Sequence, residues 1–237
     1  SFNAMLDRLS DSLLRLKEFS SDIAHELRTP INNLITQTQV SLSKPRSVLQ
    51  YEDLLHSNLE EYERIARMIA DMLFLAKADN GLIVPRRDDV WVATELQALV
   101  EFHEPVASEV GVVLKCSGDA RVSVDRLMLR RAISNLIDNA IKHTKRGGAI
   151  LISAGIDRDR VEVSVTNPGD DIPEDMRARI FDRFYRGADA RRRENDEGAG
   201  LGLAICASIA QAHGGDVVVV SERGTTTFSI RIPLRTN

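Results

Sequence analysis

The chain has 237 residues, of which 43% are hydrophobic and 28% are charged, with a formal net charge of −4. This composition is that of a folded protein of one or two domains and excludes a disordered chain, and the acidic balance argues against a nucleic-acid surface as its main function. No stretch approaches the roughly 18 apolar residues of a membrane-spanning helix, and the two cysteines lack metal-type spacing, which fits a reducing compartment.

The first predicted element is a long helix. Apolar residues recur at heptad spacing from Leu6 to Leu34, which is the narrow stripe of a helix in a bundle or coiled coil, and Ser20 and Pro30 interrupt this stripe. Turn-forming residues at 43–47 end the helix. Because the chain begins within the periodic pattern and without a helix cap, we expect it to be a fragment of a longer protein.

A second helix is predicted to follow, with heptad spacing from Leu55 to Ala76 and an end at the Asp-Asn-Gly of 79–81. Two long antiparallel helices cannot bury both of their apolar faces by themselves. We therefore expect an all-α hairpin that dimerises into a four-helix bundle.

After residue 80 the pattern changes to short strands and amphipathic helices. We predict a strand that leads into a helix within 90–111, strands within 112–116 and 120–124, a strand hairpin that turns at 157–159, and two closing strands after residue 215. Helices are predicted from an N-cap at Asp125 and across 200–215. With mostly antiparallel connections, this half is predicted to be an α+β sandwich with helices on one face of a sheet.

His25 lies at an irregular point of the first helix. The heptad register places it at position f, on the outer face, beside Glu26, and Thr29 follows at i+4 on the same face. Pro30 removes a backbone donor and should bend the helix there. A metal site is disfavoured because neither histidine nor cysteine follows at i+3 or i+4. The residues leave two interpretations, a solvated surface histidine and a nucleophile that a carboxylate orients.

Residues 19–34 resemble the phosphoacceptor box of sensor histidine kinases, His-Glu-x-x-Thr-Pro, and further boxes of that family follow in order through the second half. Residues 71–81 and the Asn-Pro-Gly of 167–169 resemble the heavy-metal (copper or silver) sensing branch. The resemblance implies three parts: the end of a HAMP-like signalling helix at 1–15, a dimerisation and histidine phosphotransfer domain at 16–80, and a catalytic ATP-binding domain of the GHKL (Bergerat) ATPase type at 81–237.

The segment 135–144 resembles the asparagine-bearing box of the family. Its polar residues share one helical face and the apolar residues between them turn to the core; the polar set is Asn135, Asn139, Lys142 and His143. By itself this set favours the solvated face of an ordinary helix over a ligand site. The resemblance implies that the two asparagines hold Mg²⁺ with the phosphate oxygens of ATP, and that Lys142 and His143 belong to the nucleotide site.

The segment 165–173 corresponds to the first glycine box and departs from the family pattern. Asn167 occupies the position of the usual aspartate, so its amide oxygen can accept a hydrogen bond from the adenine amine but without charge assistance. Gly169 would permit close approach of the backbone, and Ile172 is assigned to the same site by resemblance. A simple Asn-Pro-Gly turn between strands is the competing interpretation.

Two further boxes complete the nucleotide site by resemblance. Residues 180–193 resemble the aromatic box and the start of a lid, in which two aromatic residues anchor the lid and two arginines neutralise phosphate charge; these are Phe181, Phe184, Arg183 and Arg186. Residues 197–205 supply glycines at the mouth of a helix, where backbone N–H groups approach phosphates; the residues concerned are Gly198, Gly200, Leu201, Gly202 and Leu203. Solvated arginines and tight loop-to-helix packing are the respective alternatives.

The resemblance as a whole implies a homodimeric protein-histidine kinase that uses ATP and Mg²⁺. His25 accepts the γ-phosphoryl group, Glu26 orients its ring or takes its proton, and an aspartate of a response regulator then receives the phosphoryl group, while Thr29 assists dephosphorylation of that regulator. The HAMP-like start implies a membrane-anchored parent with this portion in the cytoplasm, and no nucleic-acid partner is expected. The alternatives are an ATPase or chaperone-like machine with the same nucleotide fold, and a non-enzymatic scaffold that dimerises and binds a partner.

Overall fold

A computed structural model describes residues 2–185 and 199–234 of the chain, with the backbone alone described at residues 2–20 and 22. The chain forms two compact units, Ser1–Leu73 and Phe74–Asn237. The division lies a few residues before the boundary near residue 80 that the sequence indicates, because the last turns of the second helix make their contacts within the second unit.

The first unit consists of two long helices. α1 spans Phe2–Leu42 and continues through Pro30, and α2 spans Val48–Asp79. α2 begins with a reciprocal cap, in which the Ser47 hydroxyl accepts from the backbone N–H of Gln50 at 3.3 Å and the Gln50 side chain accepts from the N–H of Ser47 at 3.1 Å. The two predicted helices and the turn between them are confirmed.

The second unit contains two sheets. β1 (Asp88–Trp91) and β3 (Arg121–Val124) pair antiparallel in a two-stranded sheet. The second sheet has the strand order β2-β4-β5-β7-β6, and its strands are β2 (Val113–Gly118), β4 (Ala149–Asp157), β5 (Arg160–Pro168), β6 (Asp216–Glu222) and β7 (Thr225–Pro233). Pairing in this sheet is parallel between β2 and β4 and antiparallel between the other neighbours, in line with the mostly antiparallel connections predicted.

Three longer helices pack on the five-stranded sheet. They are α3 (Val92–Glu109), α4 (Arg126–His143) and α6 (Gly202–Ala212), whereas α5 (Glu174–Arg177) and a 3₁₀ turn (Arg179–Phe181) are short. The alternation along β5 identifies the packed face, because Val161, Val163 and Val165 are buried and the residues between them are partly exposed. The predicted α+β sandwich is confirmed.

The core lies between this face of the sheet and the helices α4 and α6. Ile133, Leu136 and Ile137 of α4 and Ile205 and Ile209 of α6 are fully buried there. Burial of each such side chain contributes about 1.5–3 kcal/mol. The packing therefore fixes the two helices that carry the predicted asparagine and glycine boxes.

Within the part of the chain that the structure describes, no helix is both long and apolar enough to cross a membrane. Both cysteines are free thiols, as their spacing indicated, with Cys116 exposed and Cys206 buried.

Candidate active site

The asparagine stripe lies on an accessible face of α4. The helix begins at the predicted N-cap, where the Asp125 side chain accepts from the backbone N–H of Met128 at 3.0 Å. Asn135 and Asn139 are partly buried, and the next two polar residues of the stripe, Lys142 and His143, are exposed. The predicted division of the helix is confirmed, because the apolar residues between them are all buried: Leu136, Ile137, Ala140 and Ile141.

The glycine box places the start of α6 against this stripe. The side-chain N–H of Asn135 donates to the backbone carbonyl of Gly202 at 3.3 Å, across 67 positions of sequence. A Cβ atom at Gly202 would lie 3.7 Å from the Cβ atom of Asn135, an ordinary contact distance. The asparagine and glycine boxes therefore meet in one place, as the family resemblance implies for a nucleotide site.

Close packing accounts for Gly200. Its φ of +68° is in the left-handed region, and a Cβ atom there would lie 2.9 Å from backbone atoms of Phe184 and Tyr185. The following Leu201 is buried at the beginning of α6, and Leu203 is partly exposed. Tight loop-to-helix packing is therefore sufficient to explain Gly200, and a nucleotide contact at Leu201 would have to come from its backbone.

Cys206 follows on the same helix and lies under the stripe. Its thiol donates to the Ala132 carbonyl at 3.2 Å, and it also contacts the Asn135 side chain. Burial raises the pKa of the Cys206 thiol to about 12, so the thiol stays protonated. The residue is a packing and hydrogen-bonding group and not a nucleophile.

The first glycine box begins where β5 ends. Asn167 is buried, and its side-chain N–H donates to the Pro168 carbonyl at 3.2 Å. The backbone N–H of Gly169 donates to the Gly224 carbonyl at 3.0 Å, and a Cβ atom at Gly169 would lie 3.2 Å from the carbonyl oxygen of His143. This box thus lies against the C-terminal end of α4, next to the asparagine stripe.

The loop after Gly169 is held by residues that sequence analysis did not single out. The backbone N–H of Ile172 donates to the Ser221 hydroxyl at 2.8 Å. Arg177 donates to the carbonyls of Ile172 at 3.1 Å and of Ser221 at 2.5 Å. Ser221 lies on β6, 49 positions after Ile172, so no local sequence pattern could have identified this network.

The aromatic box is anchored at its first residue. The Phe181 ring lies edge-on to the buried Phe228 ring, with centroids 6.3 Å apart. Phe184 is partly exposed, and its backbone has a φ of +56°, beside Gly200. Phe181 thus contacts β7, and its role as an anchor of a lid stays a prediction.

The structure describes one of the two predicted phosphate-neutralising arginines. Arg183 donates a hydrogen bond to the carboxylate of Asp79, the last residue of α2. Arg186, Gly198 and the arginine cluster at 191–193 lie outside the described residues.

The phosphoacceptor box lies on α1, in the first unit. The His25 side chain is exposed, as its heptad position predicts, and so is Thr29 one turn later, whereas Glu26 is partly buried. Pro30 is buried, and Leu34 on the seam is 7% exposed. The His25 imidazole is therefore accessible to a reactant in this chain.

Two family models match the chain, one in each half. Residues 15–81 match the His Kinase A (phospho-acceptor) domain, and residues 124–236 match the histidine kinase-, DNA gyrase B-, and HSP90-like ATPase domain. The sensor histidine kinase CusS of Escherichia coli (strain K12) is 47% identical over 234 residues, which are 98% of this chain and 48% of that protein. The chain belongs to the sensor histidine kinases.

A second relative of this histidine kinase chain is the sensor protein CzcS of Cupriavidus metallidurans (strain CH34). It is 42% identical over 235 residues, which are 99% of this chain and 49% of that protein. The chain spans about half the length of these curated relatives.

Solved structures of histidine kinases share the fold of this chain. Full-length ShkA in complex with AMPPNP is 27% identical with a TM-score of 0.69, and the match covers 93% of this chain and 46% of that chain. Histidine kinase ThkA in complex with response regulator protein TrrA is 23% identical with a TM-score of 0.77, and the match covers 95% of this chain and 64% of that chain. The helical hairpin and the ATPase-type sandwich of this histidine kinase are therefore those of its family.

Proposed function

We propose that this chain transfers the γ-phosphoryl group of ATP to His25 and then to an aspartate of a response regulator. The observation that carries the proposal is the contact of the asparagine and glycine boxes at Asn135 and Gly202, in a chain that also exposes the histidine of a His-Glu-x-x-Thr-Pro helix. The 47% identity with the sensor histidine kinase CusS supports it.

The residues on the stripe of α4 fit a magnesium ion and a polyphosphate. Mg²⁺ binds oxygen ligands, keeps several waters and needs few protein groups. Asn139 and the amide oxygen of Asn135 would hold it, because the amide N–H of Asn135 is already bonded to Gly202. The exposed Lys142 would contact phosphate, with His143 beside it. When bound, the ion neutralises phosphate charge and so favours transfer of the γ-phosphoryl group.

The first glycine box would receive the adenine. The side-chain N–H of Asn167 is bonded to Pro168, which orients the amide so that its oxygen is the group available to accept from the adenine amine. Gly169 and Ile172 would line this part of the site, since both belong to the loop at the end of β5. Of the two arginines, Arg183 is paired with Asp79, so Arg186 is the stronger candidate to neutralise phosphate charge.

His25 would act as the nucleophile through Nε2. Attack requires a lone pair on that nitrogen, so the ring must be neutral with its proton on Nδ1, where Glu26 can accept a hydrogen bond and stabilise the charge that develops. The bond from Nε2 to phosphorus forms as the bond from phosphorus to the oxygen of the leaving ADP breaks. The product is a phosphoramidate, which a carboxylate of a response regulator can attack in turn.

The proposed partners are a second copy of this chain and a response regulator. Large apolar side chains of α1 and α2 are exposed in the single chain, which supports a homodimer built through these helices; they include Ile35, Leu55, Leu59, Tyr62 and Leu73. The ThkA structure contains a response regulator, and this supports a partner of that class. Thr29 would assist dephosphorylation of the regulator, since it is exposed one turn after His25.

The longer protein would be anchored in a membrane, with this portion on the cytoplasmic side, and would respond to heavy-metal ions. The half-length match to CusS and CzcS supports a parent with a further segment. The metal response is supported by the resemblance of residues 71–81 and 167–169 to the metal-sensing branch.

Incubation of the chain with γ-labelled ATP and Mg²⁺ tests the proposed function. We expect label on the protein that is lost in acid and retained in alkali, which is the behaviour of a phosphoramidate. ATP hydrolysis without labelled protein would instead favour a chaperone-like ATPase. Absence of both label and hydrolysis would favour the non-enzymatic scaffold.

A further inference from the structure

His103 is a buried titratable residue to which no sequence motif assigns a role. It lies on α3 with 4% of its surface exposed. Its Nδ1 atom is 2.7 Å from the Leu99 carbonyl, one turn earlier in the same helix. Its Nε2 atom is 2.9 Å from the Ser134 hydroxyl and 3.3 Å from a carboxylate oxygen of Asp138, and both of these residues belong to α4.

The two α4 partners of His103 are the immediate neighbours of the proposed magnesium ligands. Ser134 precedes Asn135 and Asp138 precedes Asn139, so the histidine ring bridges the same two turns of α4 that carry the two asparagines. The hydrogen bond to Ser134 and the ion pair with Asp138 restrict how far these two turns of α4 can rotate against α3, in addition to the contacts of Glu95 with Arg126 and Arg130 at the start of α4. Such a rotation would swing the asparagine amides together with the backbone.

α6 holds the same turns of α4 from another side. The Asn135 side chain donates to the Gly202 carbonyl at 3.3 Å, and the Cys206 thiol donates to the Ala132 carbonyl at 3.2 Å. The turns of α4 that carry the two asparagines are therefore bonded to α6 on one side and to His103 of α3 on the other.

The geometry favours the charged form of the ring. The Leu99 carbonyl and the Asp138 carboxylate can only accept hydrogen bonds, so each needs an N–H on the nitrogen that faces it. Burial alone would lower the pKa of His103, but the hydrogen bonds to Asp138 and Leu99 and the charge of Asp138 outweigh it and raise that pKa. On α3 itself the ring also meets the neighbouring Phe102 ring edge-on, with centroids 5.0 Å apart.

We propose that His103 is a positioning residue of the nucleotide site, which holds Asn135 and Asn139 in place for Mg²⁺–ATP through its bridge to Ser134 and Asp138. This inference rests on the proposed function. A residue that acts in this way changes nucleotide affinity and leaves the chemical step at His25 largely unchanged. If His103 only filled space, another ring of similar size could replace it without loss of nucleotide affinity.

Three substitutions separate these two roles. His103→Phe keeps an aromatic ring in the core and removes both bridging hydrogen bonds. His103→Gln restores a donor toward Asp138 without a ring. Asp138→Ala removes the partner at a position that is 55% exposed, where a substitution is tolerated by the fold. Glu104→Gln, at an exposed position of the same helix, is the matched control.

The measurements are the KM for ATP and the kcat of autophosphorylation of the full chain, with the affinity for Mg²⁺–AMPPNP by isothermal titration calorimetry as an independent readout. In His103→Phe we expect KM and the calorimetric Kd to rise about tenfold, the size of effect of outer-shell partners at metal sites, with kcat within about twofold. His103→Gln should recover part of the affinity, and Glu104→Gln should equal the wild type. Combined with Asp138→Ala, His103→Phe should cause little further loss, because both act through one bridge.

The outcomes also separate this inference from the proposed function. A His103→Phe variant with wild-type KM and Kd would overturn the positioning role alone. Equal and independent losses in His103→Phe and Asp138→Ala would overturn the bridge as its route. A wild-type chain that binds no Mg²⁺–AMPPNP would overturn the proposed function and this inference with it. If His103→Phe fails to fold, the His103→Gln and Asp138→Ala variants decide the question through the same two constants.

Discussion

The Nε2 atom of His213 accepts a hydrogen bond of 2.9 Å from the backbone N–H of Asp125, 88 positions earlier in the chain. Asp125 is the N-cap of α4, and His213 lies at the C-terminal end of α6. Its Nδ1 atom is 2.8 Å from the Ile209 carbonyl, so a neutral ring with its proton on Nδ1 satisfies both neighbours. A protonated ring would instead direct an N–H at the N–H of Asp125.

This contact predicts a loss of stability in mild acid. Burial lowers the pKa of His213 and outweighs the hydrogen bond to the Ile209 carbonyl, which raises it; the charges of Arg87 (lowering) and Asp125 (raising) have smaller effects. Since the folded-state pKa lies below the ordinary value of about 6.5, the neutral ring stabilises the fold fully above that pH. The stabilisation is lost as the pH falls from there through the folded-state pKa.

The measurement is urea unfolding followed by fluorescence. Trp91 is the only tryptophan and lies on β1, so its emission reports on the second unit. We expect the free energy of unfolding to fall between pH 7.5 and 5.5 by more in the wild type than in His213→Gln, whose amide oxygen can accept from Asp125 without titrating. The pH-dependent contribution of His103 has the opposite sign, and it cancels in this comparison because both proteins contain it. Equal pH dependence in the two proteins would refute the prediction.

Glu95 should be a major stabilising residue of the second unit. Its carboxylate is buried on α3 and accepts from the guanidinium groups of Arg126 and Arg130 on α4, at 2.7 Å each. Glu95→Gln removes the charge that both arginines face. We expect a destabilisation on the order of 2 kcal/mol, less than for a fully buried ion pair because the two arginines stay partly in contact with water.

The same Trp91 unfolding assay measures this effect. Glu101→Gln is the control, at an exposed position of the same helix, and it should change the free energy of unfolding by no more than about 0.5 kcal/mol. A Glu95→Gln protein as stable as this control would show that the ion pairs contribute little net stability.

Local pattern accounts for the elements that the sequence predicted, and long-range contacts account for what it missed. The long first helix, the cap at Asp125 and the hairpin turn at 157–159 are each predicted from local pattern, and all three are present in the structure. Glu95, His103 and His213 find their partners 31 to 88 positions away, in contacts that periodicity does not specify. In the sequence, a polar residue that such a contact buries only interrupts the apolar pattern of its helix, as an exposed polar residue would.

The same distinction applies to the candidate site. The family boxes predicted that Asn135 and Gly202 belong to one site; the two residues are in contact, and their role in nucleotide binding stays a prediction. The network of Ser221 and Arg177 that fixes the loop at Ile172 was not predicted, because it depends on how β6 lies in the sheet. For Gly200 the packing alternative, which the sequence left open, has a direct structural basis in its left-handed backbone.

Gly200→Ala should disturb the junction between the aromatic box and α6. The added methyl group would occupy a left-handed backbone position and lie 2.9 Å from the backbone of Phe184 and Tyr185, which cannot yield as a flexible side chain would. We expect a cost of about 1–2 kcal/mol in thermal unfolding and a weaker affinity for Mg²⁺–AMPPNP. Gly155→Ala on β4 is the control, because a Cβ atom there meets nothing within 4 Å. If the two variants behave alike, the packing account of Gly200 is wrong.

Asn139→Ala tests the proposed metal site. Its side chain is partly buried and lies one turn after Asn135 on the stripe, so its truncation removes an amide oxygen without opening a cavity in the core. We expect the affinity for Mg²⁺–AMPPNP to fall at least about tenfold, with the folded state retained. The affinity measured without Mg²⁺ should change much less. An Asn139→Ala variant that keeps wild-type affinity in the presence of Mg²⁺ would rule out the assignment of this residue as a ligand.

His25→Gln tests the nucleophile itself, with a control that the chain provides. His25 on α1 and His56 on α2 are both exposed histidines of the first unit, but His25 alone is followed by Glu-x-x-Thr-Pro. Glutamine keeps a polar side chain of similar reach and cannot form the phosphoramidate. We expect His25→Gln to abolish acid-labile labelling by γ-labelled ATP while the calorimetric affinity for Mg²⁺–AMPPNP stays within about twofold, because the nucleotide residues belong to the second unit. His56→Gln should label as the wild type does. Label that persists in His25→Gln and disappears in His56→Gln would transfer the acceptor role to α2.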